Sequence, residues 1–104
     1  MEDAMLTRRE TDPDETQRPV QFAFSDRDLI LGLFSLEPEM EKRFKLAVMA
    51  GNGIVVEMNA YDFDDLLNAV AGDAHHAGSK ARERTLNALF DRVYRKMQSA
   101  YPGI

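Results

Sequence analysis

Between Ser79 and Met97 apolar residues return every three or four positions, and Leu86, Leu89, Phe90, Val93, Tyr94 and Met97 share one side of a helical wheel. Lys80, Arg84, Arg92 and Arg95 take the opposite side, with Asp91 among them and Lys96 at the border. The spacing predicts an amphipathic helix capped by Ser79 and running to about Ser99, ahead of Pro102-Gly103. Upstream, Phe63, Leu66, Leu67, Val70 and Ala74 recur at i, i+3, i+4, i+7 and i+11, which predicts a helix starting near Asp62 or Phe63. Its first turn collects Asp62, Asp64 and Asp65, acids that suit the positive end of a helix dipole. Only a few residues, from Gly72 to Gly78, separate the two stripes, so the pair is expected to fold as an antiparallel helical hairpin whose apolar faces meet in the core.

Period-two patterns occur in two places. Val20, Phe22 and Phe24 alternate with Gln21 and Ala23, and Ile54-Val55-Val56-Glu57-Met58 is dense in β-branched residues; both predict short strands. Ser25 followed by Asp28 resembles a capping box and predicts a helix over 26–34, weakened by Gly32. Pro38, Glu39 and Glu41 suit a helix start, and Met40, Phe44, Ala47 and Val48 continue at helical spacing, so 38–50 reads as helix with Gly51 as its cap. A rival stands beside this reading: Asn52-Gly53 is a favoured type I′ turn, and Phe44, Leu46 and Val48 also alternate like a strand. The expected fold is a small α+β domain of two short antiparallel strands and about four helical segments. The compact domain is expected over 19–100, with 1–18 as a disordered charged tail and 101–104 as a short C-terminal tail. A two-stranded sheet leaves both edges open, which makes pairing with a second copy a plausible way to cover one.

Composition narrows the setting. A chain of 104 residues with 44% hydrophobic and 30% charged side chains is ordinary for one globular domain. No segment is uniformly apolar over the length of a membrane span, and the first residues place acids before arginines with no apolar run, so neither a transmembrane helix nor a secretory signal is expected. The absence of cysteine removes disulfides, thiolate metal sites and a cysteine nucleophile, and a cytoplasmic location is the expectation. The net charge of −5 is uneven: residues 1–74 hold 7 basic and 16 acidic side chains, whereas 75–104 hold 6 and 2. Overall acidity repels phosphate, but the basic third allows a local exception.

Candidate chemistry is sparse. His75 and His76 are the only histidines, and Asp73 lies three positions from His76, so a metal-responsive helix end at Asp73, His75 and His76 is one reading. No third ligand stands at recognisable spacing, and a polar helix end explains the same residues. The acids 62, 64 and 65 lack the alternate-oxygen pattern and glycine of a calcium loop. No nucleophile elbow, HExxH pair, phosphate loop or dinucleotide fingerprint is present, so a non-enzymatic protein with no cofactor is expected. The basic face is the best contact candidate: Lys80, Arg84, Arg92 and Arg95, with Lys96, span about 120° of arc or little more. Phe90 and Tyr94 fall on the core side, so no aromatic is interleaved for base stacking. The leading expectation is therefore an interaction or accessory domain whose partner is another protein or a second copy of itself. The alternative is a nucleic-acid-associated regulator working through the basic face.

Overall fold

The structure is a computed structural model and describes residues 16–102. Its elements run β1 (Arg18–Ala23), α1 (Phe24–Leu31), α2 (Pro38–Lys45), β2 (Val48–Ala50), β3 (Gly53–Met58), α3 (Ala60–His75) and α4 (Lys80–Ala100). The fold is α+β, with a three-stranded antiparallel sheet in the order β1-β3-β2 and a C-terminal helical hairpin. No helix among the described residues is long and apolar enough to cross a membrane.

β1 pairs with β3 from Arg18↔Met58 to Ala23↔Gly53, so Val20 and Phe22 share a face with Val56 and Ile54. All four are buried, in one cluster with Phe63, Leu66 and Val70 of α3 and Leu86, Leu89 and Val93 of α4. Phe44 of α2 closes the cluster at the sheet, its ring edge-on to Phe22 at 5.0 Å between centroids.

The third strand departs from the sequence reading. The helix begun at Pro38 ends at Lys45 instead of reaching 50, and Val48–Ala50 turns back along β3 as a hairpin. The two rival readings of 38–50 thus divide the segment between them. The turn is shifted by one residue from the expected Asn52-Gly53. Ala50 pairs with Gly53, so Gly51 and Asn52 are the central positions, and of these only Gly51 has a positive φ, of 59°. A positive φ at the first central position alone is the type II′ pattern, in which glycine leads.

Two details of the first helix also differ. α1 begins at Phe24 with Ala23 as its N-cap and no side-chain cap bond, so Ser25 and Asp28 do not form a capping box. The box appears instead at α3: Asp62 N–H donates to Asn59 Oδ1 at 2.8 Å, and Asn59 N–H donates to Asp62 Oδ2 at 2.9 Å. Of the acids 62, 64 and 65 only Asp62 lies in the first turn of α3, because the helix begins at Ala60, ahead of the expected Asp62 or Phe63.

The hairpin core is narrower than the wheel suggested. Leu86, Leu89, Val93 and Met97 are buried, whereas Phe90 is half-buried and Tyr94 is exposed, their rings stacked 6.5 Å apart at the margin. An a/d-like stripe is what a packed neighbouring helix can cover, so the flanking aromatics stay in contact with water.

Tyr101 fastens the chain ends. It is buried, with its ring edge-on to Phe63, and its hydroxyl is shared between the carbonyls of Met58, at 2.9 Å, and Thr16. The Arg18 guanidinium sits 4.5 Å above the same ring and donates to the Ala100 carbonyl. Arg18 and Tyr101 therefore act within the packed domain although both lie beyond the 19–100 limits expected from sequence; the rest of the expected N-terminal tail up to residue 15 lies outside the described residues.

Candidate functional site

The expected metal candidates are placed apart in purpose. Asp73 is buried and turned toward the α1–α2 loop, where it accepts from Phe34 N–H at 2.8 Å, Ser35 N–H at 3.3 Å and Ser35 Oγ at 3.1 Å. His76 Nδ1 lies 3.0 Å from the Gly72 carbonyl, the contact of a helix-end histidine, and His75 lies edge-on to the His76 ring. Among the described residues no group of three or more His, Asp or Glu side chains gathers to hold a metal.

Asp73 instead holds a loop. Three hydrogen bonds to one buried carboxylate fix the backbone at Phe34 and Ser35, yet the Phe34 side chain is 98% exposed. Replacing Asp73 by alanine is expected to cost about 1–3 kcal/mol and to speed amide exchange at Phe34 and Ser35, measured by hydrogen exchange and urea unfolding. Unchanged exchange at both amides would contradict the pinning role.

The basic face of α4 is split by the fold. Arg92 makes a two-point ion pair with buried Asp26 of α1, Nε donating to Oδ2 at 3.1 Å and Nη2 to Oδ1 at 2.8 Å. The Lys96 ammonium lies 5.4 Å from the Phe22 ring centroid. Lys80, Arg84 and Arg95 remain exposed with no ion pair among the described residues, spread over about 22 Å of helix. The acid that claims Arg92 is 66 positions away in sequence, which no helical wheel could reveal.

Among the described residues no further strand pairs with either sheet edge, and backbone geometry shows which groups they present. Pro19 has no N–H, so in the β1–β3 ladder it must face away from β3, and with the period of two so do Gln21 and Ala23. Arg18, Val20 and Phe22 then bond to Met58, Val56 and Ile54, leaving Gly53 and Val55 to bond to Ala50 and Val48. That is the pattern a two-residue hairpin requires at its closing pair. Met49 is left with its N–H and C=O turned outward on the β2 edge.

The two edges differ in character. β1 is blunted by Pro19 and flanked by α4, with an open groove of about 700 Å³ between them lined by Gln21, Arg92, Arg95, Lys96 and Ser99 among others. The β2 edge is apolar and exposed: Val48 is 71% and Met49 73% accessible, and Leu46, the C-cap of α2 just before the strand, is 72%. Residues 46–52 contain no charge and no proline, the two devices by which sheet edges are ordinarily kept from pairing. None of these three apolar residues was singled out as a contact from sequence, although an uncharged run following the charged α2 was a usable signal.

Comparison with family models, curated proteins and solved structures found no match.

Proposed function

We propose that this chain is a non-enzymatic interaction domain that assembles with a second copy of itself through the β2 edge. The supporting observation is that Val48 and Met49 on the edge strand, and Leu46 just ahead of it, are each more than two-thirds exposed in a stretch without charge or proline. An antiparallel pairing about a two-fold axis at Met49 uses one surface twice, with each Met49 N–H donating to the other copy's Met49 carbonyl. Because 46–52 is uncharged, such a pairing brings no like charges together, and it joins two three-stranded sheets into one of six strands.

Met49→Lys tests the reading. The side chain is mostly solvated in the single chain, so the substitution is expected to alter stability by no more than about 0.5 kcal/mol. In the assembly two lysines would meet at the axis, and sedimentation velocity at micromolar concentration is expected to show the variant at half the mass of the wild-type species. Equal masses for the two would contradict an interface at this edge. Of the cations behind the nucleic-acid reading Arg92 is neutralised by Asp26, Asp91 stands beside the others, and no further observation favours it.

A further inference from the structure

The opposite edge invites a different partner. Along β1 the outward backbone groups are the carbonyls of 19 and 21 and the N–H groups of Gln21 and Ala23, the Ala23 carbonyl being taken up as the N-cap of α1. Beside them runs the flank of α4 that carries Arg92, Arg95, Lys96 and Ser99, so strand edge and cations line the same groove. Asp26 also lines it and neutralises Arg92, leaving Arg95 and Lys96 to set its positive sign. We propose that this groove binds an extended acidic peptide of a partner protein, which adds as a fourth strand beside β1 with alternate carboxylates on Arg95 and Lys96.

The dimensions suit that occupant. Arg95 and Lys96 are consecutive on α4, about 100° apart around the helix, and both side chains are long, so two acids ~6.7 Å apart on one face of an added strand can each be met by one of them. Main-chain bonds to Gln21 and Ala23 supply affinity that does not depend on sequence, while the cations select acidic side chains. Nucleic acid fits less well: it has no use for the outward N–H groups at regular strand spacing beyond isolated phosphate contacts, and no aromatic side chain lines the groove for stacking. The Phe22 ring behind the strand is buried, with the Lys96 ammonium over it.

The test uses the full chain and a fluorescein-labelled probe of alternating glutamate and valine, Glu-Val-Glu-Val-Glu-Val, with Glu-Glu-Glu-Val-Val-Val and a short oligothymidylate as comparisons. Anisotropy is expected to show the alternating peptide binding, at least about tenfold more tightly than the blocked one. Arg95→Glu/Lys96→Glu is expected to weaken it by about tenfold or more, and the amide resonances of Gln21 and Ala23 in the wild-type chain are expected to shift on titration. Gln21→Pro removes an outward donor on the same side of β1 as Pro19, together with the exposed Gln21 Nε2 bond to the Ala50 carbonyl, and should weaken the peptide without changing the response to oligothymidylate. Equal binding of the two peptides would reduce the groove to a charged surface, and tighter binding of oligothymidylate would assign it to nucleic acid. Release of a second copy on titration would mean that copies occupy the β1 edge. No binding by the full chain would overturn the proposal, including the case in which the chain's own acidic residues 1–15 fill the groove. Met49→Lys should leave peptide binding unchanged, which separates this edge from β2.

Discussion

Replacing Leu89 by alanine is expected to lower the unfolding free energy by about 2–5 kcal/mol, a large share of the roughly 5–15 kcal/mol that holds a domain of this size. Leu89 is fully buried on the inner stripe of α4, in the cluster that joins the helical hairpin to the sheet. Removing its branched end takes away transfer free energy and leaves a void that a long helix packed along α3 cannot easily close. Phe90, one residue on, is the informative comparison. It lies at the half-buried margin, stacked on exposed Tyr94, so Phe90→Ala is expected to cost clearly less than Leu89→Ala despite the larger side chain removed. Urea unfolding of the two variants measures the difference, and equal costs would contradict the narrow inner stripe.

Gly53→Ala carries the second large expected effect, from crowding instead of a void. A Cβ at position 53 would stand 2.0 Å from the Phe22 carbonyl oxygen and 2.9 Å from its carbon, both backbone atoms of the neighbouring strand. Neither can rotate aside, so β1 and β3 would have to separate where the chain turns from β1 into α1. Such overpacking typically costs about 1–3 kcal/mol, and the loss should appear as faster amide exchange along β1 and β3 together with a lower urea midpoint. Gly78→Ala is the matched control. A Cβ there meets nothing within 4 Å, so the same substitution should be close to neutral.

The helical hairpin was legible because α3 and α4 sustain their apolar period over 16 and 21 residues, long enough for the pattern to outweigh local exceptions. The Ser79 cap was legible from short-range hydrogen-bond chemistry, whereas the Asn59–Asp62 box lies ahead of the apolar stripe and starts α3 at Ala60, before the expected Asp62 or Phe63. β2 was harder to read because a three-residue edge strand with Val48 and Met49 both exposed has no alternation of burial to betray it. The turn was displaced because Gly51, Asn52 and Gly53 all tolerate turn conformations; what separates them is the approach of the Phe22 backbone to position 53, a long-range contact. Phe34 closes an apolar run and resembles a core residue in sequence, yet Asp73, 39 positions later, fixes its backbone and leaves its ring in water. The basic residues of α4 could be placed on one face by their spacing, but that Arg92 among them is neutralised depended on Asp26, distant in sequence. Local periodicity thus reached the scaffold, while the candidate surfaces depended on tertiary neighbours.

Assembly through β2 is most directly tested by isotope-filtered nuclear Overhauser spectroscopy on a mixture of methyl-labelled and unlabelled chains. The expected result is intermolecular cross-peaks at the methyl groups of Met49 and Val48, in a species of about twice the 11.8 kDa chain mass. A single-chain mass at micromolar concentration, with no intermolecular peak at either residue, would contradict it.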